Sequence, residues 1–95
     1  WRGGGGELDL VLREGELMVI VEVKTRPSAD ADPLATVRDP VRRRHLVSAG
    51  RAYHAQLPRP RPAGRFDIAL VIPDPECPAN PNVVIHEDVL SSSAD

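Results

Sequence analysis

The residues with the most chemical potential in this sequence are Asp9 and, thirteen positions later, the triplet Glu22-Val23-Lys24. In an extended strand, residues two apart project to one face, so Glu22 and Lys24 lie side by side. Two carboxylates that meet across a hairpin form a site for a hard, oxygen-preferring cation such as Mg2+, which is usually held by one or two carboxylates plus water and substrate phosphate. Lys24 is the only lysine among twelve basic residues. A lysine shifts its pKa readily when buried, whereas an arginine stays charged. A metal-activated water, an adjacent lysine and a phosphodiester together make a hydrolytic site. The plainer alternative is a set of cross-strand ion pairs on a wet sheet face. Burying such a pair for stability alone is unfavourable, because desolvation can exceed the Coulombic gain.

These residues need a hairpin to bring them together. Residues 7–13 alternate, with Leu8, Leu10 and Leu12 on one side and Glu7, Asp9 and Val11 on the other. Glu14-Gly15 reads as a two-residue turn, and residues 16–25 (ELMVIVEVKT) as a long, largely buried strand. That turn pairs Arg13 with Glu16, sets Glu7 opposite Glu22, and leaves Asp9 diagonal to Glu22 at roughly 7–8 Å. Glu7, Asp9, Glu22 and Lys24 then share one face. Three acids on one face call for a cation or a raised pKa.

Beyond the hairpin, residues 28–33 read as a loop. Asp39-Pro40 is a helix start, an N-cap acid followed by proline at the first helical position. Residues 41–57 keep helical spacing, with Val41, Leu46, Ala49, Ala52, Tyr53 and Leu57 in one apolar sector. Arg43, Arg44 and Arg51 fall outside that sector, whereas Arg42 projects near its middle. Pro-Arg-Pro-Arg-Pro at 58–62 stops the helix. Residues 65–72 read as a strand, 83–86 as a short one, and 91–95 as a disordered tail after a single domain over 1–90. The fold class is α/β, a mixed sheet in the order β-β-α-β(-β). One helix leaves the other sheet face uncovered, which points to a homodimer.

Composition narrows the function classes. Ninety-five residues hold one small domain, and no apolar run reaches the ~20 residues that span a bilayer. No leader is recognisable at the start, so the expected compartment is the cytoplasm. The lone Cys77 excludes an internal disulfide, and His45, His54 and His86 lack ligand spacing. Gly3 to Gly6 lack the lysine and following helix of a phosphate loop and read as a flexible approach. Trp1, Tyr53 and Phe66 are too few for a base-stacking platform. The net charge of −2 hides eight arginines against one acid over 38–65, a stretch that a polyanion would meet first.

The segments GGELDLVL (5–12), VIVEVKTR (19–26), Asp39-Pro40, AGRAYHAQL (49–57) and RFDIALV (65–71) resemble, in order and spacing, the YraN-like uncharacterised bacterial proteins. Asp9 with Glu22-Val23-Lys24 is similar to the PD-(D/E)XK pattern of restriction-endonuclease-like nucleases, and the spacing is similar to that of archaeal Holliday-junction resolvases. The resemblance implies a restriction-endonuclease-like sheet whose leading helix is absent from this chain, which opens on Trp1. It implies Asp9 and Glu22 as ligands of Mg2+ (Mn2+ as substitute), Lys24 as the catalytic lysine, and Glu7 and Arg26 as site neighbours. Arg65-Phe66-Asp67 becomes a flanking strand. Arg42 reaches either toward the site or to an ion pair with Asp67.

Two functions follow as expectations. One is a Mg2+-dependent endonuclease acting on DNA, branched or damaged forms included, with Arg42, Arg43, Arg44 and Arg51 on flanking phosphates. The other is a non-catalytic nucleic-acid-binding or interaction module that retains the fold.

Overall fold

The computed structural model describes residues 1–28, 30–32 and 34–90; the expected tail at 91–95 lies outside the described residues. The glycine run is not a flexible approach. β1 (Arg2–Gly3) and β2 (Gly6–Glu7) pair antiparallel around Gly4 and Gly5, whose φ values of 59° and 82° are those of a tight primed turn. Reciprocal hydrogen bonds between Trp1 and Leu8, at 2.8 and 3.0 Å, lengthen this ribbon by one pair.

The chain then bends at Asp9 and enters a second, four-stranded sheet. β3 (Leu10–Glu14) pairs antiparallel with β4 (Leu17–Thr25). The turn between them is Gly15-Glu16, with Gly15 at a φ of 60°, so glycine occupies the first central position rather than the second. Arg13 therefore faces Met18, and every residue of β3 pairs two positions further along β4 than the Glu14-Gly15 turn implies. A shift of two preserves the face of each side chain but replaces its neighbour.

After β4 come a one-turn helix α1 (Ala35–Arg38), which the sequence pattern did not signal, and α2 (Pro40–Ala55). The Asp39 carboxylate caps α2, accepting from the backbone N–H groups of Val41 at 3.0 Å and Arg42 at 3.3 Å, with Pro40 in the first turn as expected. β5 (Ala63–Ile72) returns parallel to β4, and β6 (Asn82–His86) pairs antiparallel with β5. The sheet order is β3-β4-β5-β6. The architecture is a mixed α/β sheet with α2 packed on one face.

The main core lies under α2: Met18 and Ile20 from β4, Ile68 from β5, Leu46 and Ala49 from the helix, with Leu8 and Val37. Burying each of the larger aliphatic side chains contributes roughly 1.5–3 kcal/mol. Val19, Val21 and Ala69 form a smaller cluster on the opposite face. The bend at Asp9 breaks the expected alternation: Leu8 enters the core, whereas Leu10 and Leu12 stay about half exposed. Val41, expected in the apolar sector of the helix, is also half exposed, because the first turn of α2 extends past the core. Among the described residues no helix is long and apolar enough to cross a membrane.

Candidate active site

Asp9 stands at the bend where the ribbon meets the main sheet. β3 begins one residue later, so Val23 of β4 has no backbone carbonyl opposite it. The Asp9 side chain substitutes: its Oδ2 accepts the Val23 N–H at 2.9 Å and closes the end of the ladder. The observed register extrapolates to Asp9 directly opposite Glu22, rather than diagonal to it, close enough for each carboxyl group to shift the titration of the other.

Glu22 and Lys24 follow Met18 and Ile20 along the helix-facing side of β4, beyond the core. Their side chains are only 15% and 21% exposed, and Lys24 Nζ lies 3.8 Å from Glu22 Oε1. Burial pushes Glu22 up to about 7, assisted by the hydrogen bond to Asp9 and by the Asp9 charge; Lys24 and Arg42 pull the other way. Asp9 is held below the ordinary carboxylate range, first by the hydrogen bond from Glu22 and then by the Val23 N–H, against its own partial burial. Of the two acids, Asp9 is therefore the one that ionises first, and Glu22 the one that holds its proton to higher pH.

The remaining sequence candidates separate. Glu7 does not stand opposite Glu22: it lies in β2, exposed and 2.9 Å from Arg2. The bend at Asp9 carried it onto the ribbon. Arg26 follows β4, and its Nη1 donates to the Thr25 carbonyl at 2.8 Å. Arg42 comes from the first turn of α2 and is close enough for its charge to act on Glu22. Of its two expected destinations, Asp67 is taken: Arg65 grips both carboxylate oxygens at 2.9 and 3.0 Å, and the Asp88 N–H donates to Oδ1 at 3.0 Å. Arg43 and Arg51 line a groove of about 480 Å³ floored by Met18, Ile20, Phe66 and Leu90. Arg43 and Arg44 line an adjoining one of about 620 Å³ beside α1. The helical arginines thus spread along α2 from a point next to the carboxylate pair.

The pair suits a hard divalent cation. Lys24 and Arg42 bring positive charge to the side of Glu22. Among the described residues no three Asp, Glu, His or Cys side chains converge as a fuller ligand set. The Arg65–Asp67 fork is the buried ion pair that sequence reasoning missed, having offered Arg42 as the partner of Asp67. Asp67 is 4% exposed in a largely apolar strand, and its placement two residues after an arginine is the signal that marks the pair.

Comparison with known proteins adds the following. Residues 1–71 match the uncharacterised protein family UPF0102. A UPF0102 protein of Roseobacter denitrificans is 42% identical over 72 residues, covering 75% of this chain and 54% of that protein. One from Solibacter usitatus is 42% identical over 69 residues, 73% of this chain and 52% of that protein. One from Paramagnetospirillum magneticum is 41% identical over 71 residues, with 74% and 54% covered. The chain spans about half the length of these curated relatives. No solved structure matches it.

Proposed function

The chain belongs to the uncharacterised protein family UPF0102, the YraN-like bacterial family, and on that premise we propose that it is a Mg2+-dependent nuclease-fold protein that hydrolyses phosphodiester bonds in DNA. The observation that carries this reading is that Asp9 and Glu22 face each other with their titrations pushed apart, and that Lys24 lies 3.8 Å from Glu22 in the same apolar strand. Within the four-stranded mixed sheet the sequence β3-β4-α2-β5-β6, with the β1–β2 ribbon and α1 added to it, is compatible with the restriction-endonuclease-like architecture that the motif implies.

In this reading Asp9 and Glu22 hold the cation, which supplies Lewis acidity and a water of lowered pKa when bound. Asp9 is held by the sheet edge itself, since its second role is to accept the Val23 N–H. Lys24 donates to the scissile phosphate or to the attacking water and balances the charge that develops on phosphorus. Arg42 stands on the other side of Glu22, positioned for an adjacent phosphate. The exposed Arg44 and Arg51 extend that contact along α2 with the half-buried Arg43.

The distribution of those arginines also favours a second reading, a module that binds nucleic acid without cutting it. A calorimetric Mn2+ titration separates the two. The nuclease reading expects one site per chain, lost in Asp9→Asn and in Glu22→Gln, and Mg2+-dependent nicking of linear or branched DNA. Binding to DNA with a steep salt dependence and no metal uptake would leave the binding module instead.

A further inference from the structure

Among the described residues β6 (Asn82–His86) is the outermost strand of the sheet, with β5 as its one neighbour. Its three central residues are open to solvent: Val83 is 53% exposed, Val84 37% and Ile85 51%. The strand holds no charged residue and no proline, the usual guards against edge-to-edge pairing. The other edge differs. β3 ends in Arg13 and Glu14 and begins at the bend of Asp9, so charge and a kink limit what can add there.

We infer that β6 is a pairing edge and that its partner is β6 of a second copy of this chain, forming an antiparallel, eight-stranded continuous sheet. The order of residues favours self-pairing. Asn82-Val83-Val84-Ile85-His86 is polar at both ends and apolar between. A twofold axis at Val84 sets Val83 against Ile85 of the second copy and Asn82 against His86, so apolar meets apolar and polar meets polar. Flanking charges do not collide: Glu87 would come opposite Pro81, and Glu87 already lies 3.8 Å from Arg65 of its own chain. Val83 and Ile85 lie on the side of the sheet opposite α2, with Ala69 and Val71 as cross-strand partners. Pairing therefore extends that apolar strip across the dyad, and cross-strand contacts of this kind stabilise sheets.

The same dyad keeps both copies of the Asp9–Glu22 pair on one face of the joined sheet. Strands β4 of the two copies are five inter-strand steps apart, about 24 Å at ~4.8 Å per step. Because a single five-residue strand pair is a small interface, the dimer should be concentration-dependent.

Sedimentation equilibrium of the full chain, from low micromolar to near-millimolar concentration, tests this. The expected result is a monomer–dimer equilibrium in the parent chain. Ile85→Lys should halve the apparent mass at the upper end while retaining the parent far-UV spectrum. Leu12→Lys, an equally exposed change on the β3 edge, should leave dimerisation unchanged. A parent chain that stays monomeric throughout overturns the inference, as does a dimer lost in Leu12→Lys but kept in Ile85→Lys. If Ile85→Lys loses its secondary structure, Val84→Cys in a Cys77→Ser chain decides. Mild oxidation should link it into a covalent dimer across the axis, and failure to link overturns the inference.

Discussion

Asp9 stands across the open end of the β3–β4 ladder from Glu22, and its Oδ2 accepts the Val23 N–H at 2.9 Å. One carboxylate thus closes a sheet and faces the group next to which a cation would sit. This ties the chemistry of the site to the stability of the fold, and the tie can be measured.

The first consequence is a pH dependence of stability in the metal-free chain. Glu22 stands at about 7 in the folded protein against an ordinary 4.5. Between those values the folded state binds more protons than the unfolded one, so stability contributed by Glu22 is complete below about 4.5 and is lost as pH rises through about 7. The expected loss is on the order of 2 kcal/mol. Asp9 works in the opposite sense and is lost only on acidification below its ordinary value of 3.8. Urea titrations at intervals between these limits should show the decline in the parent chain and its absence in Glu22→Gln.

On the proposed nuclease reading, Lys24→Ala should abolish cleavage of DNA while leaving Mn2+ stoichiometry unchanged, because the lysine lies beside the two carboxylates that this reading makes the ligands. Calorimetry and a nicking assay on the same preparation check both halves. Retained cleavage would remove the assigned role.

Asp67→Ala should destabilise the chain by about 3 kcal/mol, since it strips a buried fork from Arg65 and an acceptor from the Asp88 N–H. Glu14→Ala, which removes an exposed partner 3.5 Å from the same arginine, should cost less than about 1 kcal/mol. Denaturant midpoints of the two variants give the comparison.

Gly6→Ala should cost about 1–3 kcal/mol, because an added Cβ would stand 2.5 Å from the His45 carbonyl oxygen of α2. Gly5→Ala meets nothing within 4 Å and pays only for its φ of +82°, about 1 kcal/mol. Thermal unfolding should rank Gly6→Ala below Gly5→Ala.

Features whose physics is local were legible in the sequence. The Asp39-Pro40 start of α2 needs only a capping carboxylate and a fixed φ, and both are present where the pattern put them. Glu22 and Lys24 share a face whatever the turn, and so do Asp9 and Glu22, since a register shift of two leaves face parity intact. The register itself was not legible. Glu14-Gly15 and Gly15-Glu16 are both chemically sound turns, and the choice between them rests on how β3 packs. Glu7 was misassigned for a related reason. An unbroken strand over 7–13 would hold it beside Glu22, but the ribbon docks on α2 and bends the chain at Asp9, a tertiary effect with no sequence marker. The same docking explains why four glycines that looked flexible form an ordered hairpin.

That hairpin has a bearing on how the protein tolerates change. Where Gly4 and Gly6 approach α2, the nearest atoms include the carbonyl oxygens of Ser48 and His45, and the Ser48 hydroxyl donates to the Gly4 carbonyl. The axial position of the helix is therefore gauged main chain against main chain. Gly4 and Gly6 admit no added Cβ without a shift of the helix backbone, whereas Gly5 faces open space. Two positions remote from the carboxylates would then constrain the site more tightly than most of the helix that carries its arginines.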